Sequence, residues 1–257
     1  MNLATEYIEP ICGDGRRSFG GDNGPAKDAV LDLPVSIIFD SHGNSYILDQ
    51  ANQRIRQIGT DGIIRTVAGT GEVGFAGEDE PATQAKFTFP VGQAAWPAGK
   101  LDIDDDDNIY IPDAGNHRIR VMTPDGTIRT LAGNGNPGSD GDGGPALLAR
   151  LRFPGGVTAG PDGAIYIADT FNHCIRKVSP AHDEGSPAGV LSPSHLEDGV
   201  ITTICGTCGV RGYGGDGGNP ADALLDRPTS VSFDADGNLY IADQGNHRIR
   251  VIWKLAR

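Results

Sequence analysis

The chain has 257 residues, a formal net charge of −13, 38 Gly, 17 Pro, four cysteines and 38% hydrophobic residues. That acidic balance argues against DNA or RNA as partner, since phosphate neutralisation needs a concentrated basic surface, and no stretch approaches the roughly 18 apolar residues of a membrane span. The glycines recur at fixed offsets in turn phrases, so they read as many tight turns in a chain with enough apolar residues for a sizeable core.

From the start, Met1 to Tyr7 lacks the basic and apolar regions of a secretory signal. The chain as written therefore reads as cytoplasmic, and as extracellular if the start is truncated. Ile8 to Cys12 has the pattern of a strand, and a glycine-rich run from Gly13 to Ala26 follows it. Pro34 to Asp40 predicts a first strand, Asp40 to Asn44 a hairpin turn with Gly43 at the position that wants a positive φ, and Tyr46 to Asp49 a second strand. Arg54-Ile55-Arg56 alternates as a third strand, and Ile63 to Ala68 reads as a fourth. A second glycine-rich loop, Gly69 to Ala82, carries Phe75.

The same order then repeats. The units cover 34–68, 90–132, 154–205 and 228–253, and each contains Tyr-Ile-x-Asp-x-x-Asn-x-x-Ile-Arg, beginning at Tyr46, Tyr110, Tyr166 and Tyr240. (Leu48 and Pro112 stand where the last two copies have Ala168 and Ala242.) Each loop is expected to end in a short helical turn, as at Ala146 to Leu151 and Ala221 to Leu225, covering the joint to the next unit. Two stretches break the period: Gly92 to Gly99, which holds Trp96, and Ala181 to Glu197, which holds His182, Asp183, Glu184 and His195. Unrepeated loops of that length in a compact domain are usually functional or disordered.

Self-similarity at this period marks a repeat architecture. The expectation is an all-β fold of one domain over 1–257: a β-propeller of about four four-stranded blades. Ile8 to Cys12 is a fourth-strand phrase without the other three, and Arg248 to Trp253 is a third strand without a fourth. Two arrangements follow. Either 8–12 completes the last blade and closes a monomeric ring that has no free sheet edge, or the chain is part of a larger propeller.

The phrase with Asn116-His117, Asn172-His173 and Asn246-His247, diverging to Asn52-Gln53, resembles the NHL repeat. With Thr66-Val67-Ala68-Gly69-Thr70-Gly71 and Gly141-Asp142-Gly143-Gly144-Pro145-Ala146 it is similar to the long-loop kind found in bacterial proteins and in the propellers of large surface receptors. The resemblance covers nearly the whole chain. It implies a propeller, and rings of this family most often have six blades.

Repetition weighs against catalysis by the repeated residues. His117, His173 and His247 share one strand position, and a tetrahedral metal site needs three or four converging donors. Lyases that resemble this family take ligands from the first-strand position, which here holds Val35, Val91, Gly155 and Thr229. Asp49, Asp113, Asp169 and Asp243 are expected either to cap a turn or to pair with Arg56, Arg120, Arg176 and Arg250. Asp140 to Gly144 has a calcium-like composition without EF-hand spacing. Asp104 to Asp107 could take calcium adventitiously, with Asp107 in the left-handed position usually held by Gly. Otherwise no cofactor is expected. Cys205-Gly206-Thr207-Cys208 leaves open coincidental small residues, a disulfide, or redox or metal chemistry.

The expected function is a non-catalytic binding or scaffold module that presents its loops to a protein or carbohydrate, with Phe75, Trp96, His182, Asp183, Glu184 and His195 as contact candidates. The alternatives are a metal-dependent lyase or hydrolase with an ion in the central channel, and RNA binding on a local basic face.

Overall fold

The computed structural model describes residues 7–91, 99–180 and 199–254. Its strands are β1 (Pro34–Phe39), β2 (Ser45–Asp49), β3 (Arg54–Ile58), β4 (Ile64–Ala68), β5 (Glu80–Pro81), β6 (Asp102–Ile103), β7 (Ile109–Asp113), β8 (Arg118–Met122), β9 (Thr127–Ala132), β10 (Gly156–Ala159), β11 (Ile165–Asp169), β12 (Cys174–Ser179), β13 (Val200–Cys205), β14 (Pro228–Phe233), β15 (Leu239–Asp243) and β16 (Arg248–Ile252). They form four antiparallel sheets, each an up-and-down meander: β1 to β4, β6 to β9, β10 to β13, and β14 to β16. These are the four blades of a propeller, against the six usual in the family it resembles. Among the described residues no helix is long and apolar enough to cross a membrane.

Local chemistry sets each blade. Asp40 accepts the backbone N–H groups of His42 and Asn44 and so holds the first hairpin, while Gly43 supplies the positive φ of 86°. In the second blade Asp107 takes that conformation itself, at φ 62°, as its short polar side chain allows. The third and fourth strands of blades 1 to 3 share a bulge beside the motif isoleucine, so that Ile55 faces Ala68, Ile119 faces Ala132 and Ile175 faces Cys205.

The core lies between blades. One cluster joins Leu48, Ile55 and Ala68 of blade 1 to Leu101, Ile109 and Ile111 of blade 2. A second joins Tyr110, Ile119 and Leu131 to Val157, Ile165 and Ile167. A third joins Tyr166, Ile175 and Cys205 to Val231, Leu239 and Ile241. Every glycine-rich loop ends in a single 3-10 turn, Ala26–Asp28, Ala82–Gln84, Ala146–Leu148 or Pro220–Asp222. Just before three of those turns the loop crosses onto the fourth strand of the next blade, as β5 does on β9 and as Pro25 and Pro145 do at Ile63 and Val200.

The closing strand expected at Ile8 to Cys12 is not formed. Residues 7–12 carry no strand, and the sheet of β14 to β16 has three strands among the described residues. Cys12 instead packs beside Ala26, Ala29 and Ile64 next to blade 1. Among the described residues the outward faces of blades 1 and 4 are exposed, at Ile37 and Phe39 and at Ile249, so the four blades form an open arc.

Candidate functional site

The motif residues build a network that fastens each glycine-rich loop to its blade. Asp49, Asp113, Asp169 and Asp243 end the second strands and are fully buried. Each accepts a backbone N–H from the segment before the first strand: Asp32 and Arg152 at 2.8 Å, Thr88 at 2.9 Å, Asp226 at 2.8 Å. The other carboxylate oxygen accepts the amide of the motif Asn, from Asn116 at 2.8 Å and Asn172 at 2.7 Å. These aspartates make no cap to the 3-10 turn that follows them. Their neighbours are the motif arginines, at 3.2 Å for Arg56 and 3.5 Å for Arg250. Burial pushes the Asp113 and Asp169 carboxyls up, opposed by these N–H donors and by the guanidinium.

The arginines reach onward to the loop. Arg56 donates to Asp22 at 2.8 Å and to the Gly20 carbonyl, Arg176 to Asp142 at 2.6 Å, and Arg250 to the Gly214 carbonyl at 2.9 Å. Arg120 donates to the Gly77 carbonyl and lies 3.4 Å from Glu78. The four aspartates and the arginines beside them are therefore engaged within the fold.

The residue after the motif Asn sits in the left-handed region in all four copies: Gln53, His117, His173 and His247. In the first three copies it bridges one blade to the next. His117 Nδ1 accepts the Phe153 N–H at 3.1 Å, and His173 Nδ1 accepts that of Arg227 at 3.1 Å. Gln53 does the same with Phe89, accepting its N–H at 2.7 Å and donating to its carbonyl at 3.0 Å. Burial lowers the pKa of both His117 and His173. Among the described residues no group of three or more His, Cys, Asp or Glu could hold a metal ion.

Asp104 and Asp107, the acidic turn read as an adventitious calcium site, are hydrogen-bonded. Asp104 accepts from Asn108 and from the Tyr110 hydroxyl, and Asp107 accepts the Ser41 N–H and hydroxyl across the joint to blade 1. Near the axis, Lys100 donates to the Val231 carbonyl at 2.7 Å and lies 3.4 Å from that of Val157, strapping the first strands of blades 3 and 4.

Of the contact candidates, Trp96, His182, Asp183, Glu184 and His195 lie outside the described residues. Phe75 is placed on the crest of its loop, partly exposed, with the Arg118 guanidinium 3.8 Å from its ring centre. Phe19 and Tyr213 hold the same position in their loops and are capped by Arg54 at 3.8 Å and Arg248 at 4.1 Å. Sequence reasoning singled out Phe75 and missed the other two. The signal for the series is the glycine two residues on, Gly21, Gly77 and Gly215, a faint one beside the long blade motif. In the third loop Ser139 stands where the aromatic would be, and Cys174 stands where the capping arginine would be.

Cys174 forms a disulfide with Cys208. The Cys205-x-x-Cys208 phrase therefore bridges neither internally nor as a redox pair, and Cys205 is free and buried. Where the disulfide joins strand to loop, Arg54 donates to the Thr70 carbonyl and Arg118 to the Asn134 carbonyl. The covalent bond replaces that hydrogen-bonded strap.

The family profile described as NHL repeat matches residues 151–178 and 225–252, which lie in the third and fourth blades. Two of the four blades of this β-propeller therefore carry NHL repeats. The chain is 27% identical to mouse Teneurin-1 over 97% of its own length, and 29% identical to human Teneurin-4 over 91%. It spans 9% and 8% of those relatives. Among solved structures, an auxiliary nutrient binding protein from Bacteroides ovatus shares the fold at a TM-score of 0.58 and 19% identity, over 88% of this chain and 50% of that one.

Proposed function

We propose that this propeller is a non-catalytic binding module that presents the crests of its glycine-rich loops to a protein or carbohydrate partner. One observation carries the reading: the four motif aspartates are used up in holding the loops, while Phe19, Phe75 and Tyr213 stand partly exposed at matching crest positions, each flanked by a guanidinium. Aromatic and arginine side chains are the groups that dominate recognition surfaces, and a rigid scaffold fixes such loops in place. The shared fold of the Bacteroides ovatus nutrient binding protein is consistent with ligand capture, and the likeness to 9% of Teneurin-1 with a module of a longer chain.

The test uses the full chain against an oligosaccharide array and a displayed protein library. Binding by the parent that falls at least roughly tenfold in F19A/F75A/Y213A, with folding intact, is the expected result; each lost cation–π contact costs about 1 kcal/mol or less at an exposed site. A bound hit whose affinity is unchanged in the triple variant would place recognition elsewhere. Stoichiometric metal surviving dialysis, with turnover of a substrate, would replace this reading with the lyase or hydrolase alternative.

A further inference from the structure

We propose that the open ends of the arc pair with each other between copies: blade 4 of one copy stacks on blade 1 of a second, with residues 7–12 of the second copy serving as the fourth strand on β16 of the first. Both faces are those that pair at the three junctions inside the chain. On the blade 4 side, Ile249 is 70% exposed, whereas Ile55, Ile119 and Ile175 at the same motif position are 0% exposed. On the blade 1 side, Ile37 is 44% exposed, whereas Leu101, Val157 and Val231 at its position are at most 1% exposed. At the junction of blades 3 and 4, Tyr166 meets Phe233 edge to face at 4.8 Å. The same two positions at the open ends hold Tyr240 and Phe39, the latter 61% exposed.

The strand segment matches as well. Aligned on Cys12 and Cys205, Ile8 falls on the position of Ile64, Ile128 and Ile201, which are all fully buried, yet Ile8 is 99% exposed. Pro10 falls on the position of Thr130 and Thr203, whose N–H groups go to the loop carboxylates of Glu78 and Asp142 and not to the ladder. A proline there removes no strand-to-strand hydrogen bond. Arg248 lacks the strap its equivalents make to the next loop, among the described residues, and the backbone carbonyl at that position of a following loop is that of Asp14. His247 likewise has the acceptor nitrogen that His117 and His173 turn toward the next blade, where the matching donor is the Leu33 N–H.

A second copy fits better than the chain's own N-terminal segment. Within one copy the two end faces do not cover each other, since Ile37, Phe39 and Ile249 are all exposed. Self-closure would have to move those two faces together against the three packed junctions, whereas a second copy can dock on both faces as they stand. Such a contact is head to tail, so it closes into a ring where the rotation permits and otherwise extends.

The register supplies the test. In blade 3 Ile175 faces Cys205 across the ladder, so in the proposed junction Ile249 faces Cys12, at a separation an antiparallel pair offers to a disulfide. Ile249 is exposed within one copy, so I249C should fold. Differently tagged copies of I249C are mixed, oxidised and weighed without reductant. Expected are mixed-tag disulfide-linked species that disappear in C12S/I249C. A bond within one chain between Cys12 and the introduced thiol, the absence of any bond, or linkage that persists in C12S/I249C would each overturn the proposal. As a second measurement, light scattering should show the parent assembled and I249E with unchanged circular dichroism as a single copy; a parent that is a single copy at all concentrations also overturns it.

Discussion

At the residue scale, one side chain position has the same task in two chemistries. Gln53 and the histidines His117 and His173 all accept an N–H from the next blade, from a backbone conformation at positive φ. Glutamine should therefore replace either histidine at little cost, while H117A or H173A leaves a backbone N–H unmatched and costs about 1–3 kcal/mol, read from denaturant unfolding. The acceptor is neutral imidazole. Burial lowers both histidine pKa values below the ordinary value of 6.5, so the unfolded chain binds these protons first as pH falls. Their contribution is complete above about pH 6.5 and is lost as pH falls through the lower folded-state values. H117Q/H173Q should flatten stability across that window, and an unchanged slope would assign the pH dependence to other groups.

At the scale of the element, strand and loop are tied by whichever strap the local sequence offers. Blades 1 and 2 use an arginine stacked on an aromatic and bonded to a loop carbonyl; blade 3 has Ser139 in place of the aromatic and uses the Cys174–Cys208 disulfide. Replacing a stack of modest strength by a covalent link restricts the unfolded chain, with the bond closing a separation of 34 residues. C174S/C208S should lose about 2–4 kcal/mol in unfolding under oxidising conditions, and the parent should lose a similar amount when reduced. Equal stability of parent and variant would show that the loop is held by its remaining hydrogen bonds.

At the scale of the molecule, the core is divided among junctions, so an unpaired end blade is missing one side of its packing. Ile37, Phe39 and Ile249 are the visible result. An assembly that covers them binds the folded state alone, and its stabilisation grows with protein concentration. The thermal midpoint of the parent should rise with concentration, and that of I249E should stay constant. A midpoint independent of concentration in both would mean that the end faces add nothing to stability in solution.

The sequence by itself determined the blade. Alternation, turn glycines and the recurring Tyr-Ile-x-Asp phrase place strands to within a residue or two, as with β1 at Pro34–Phe39 and β16 at Arg248–Ile252, because these signals are local. It also marked the buried polar positions by their repetition, although it left open whether the aspartates cap turns or meet the arginines. Only the tertiary structure decided what depends on distant residues. The partner of Cys208 is Cys174, not Cys205 three residues away, since the bulged ladder turns Cys205 into the core beside Ile175. The arc stays open and residues 7–12 do not reach β16. Closure depends on the angle between neighbouring blades, which is set by packing across every junction at once and is written in no single repeat.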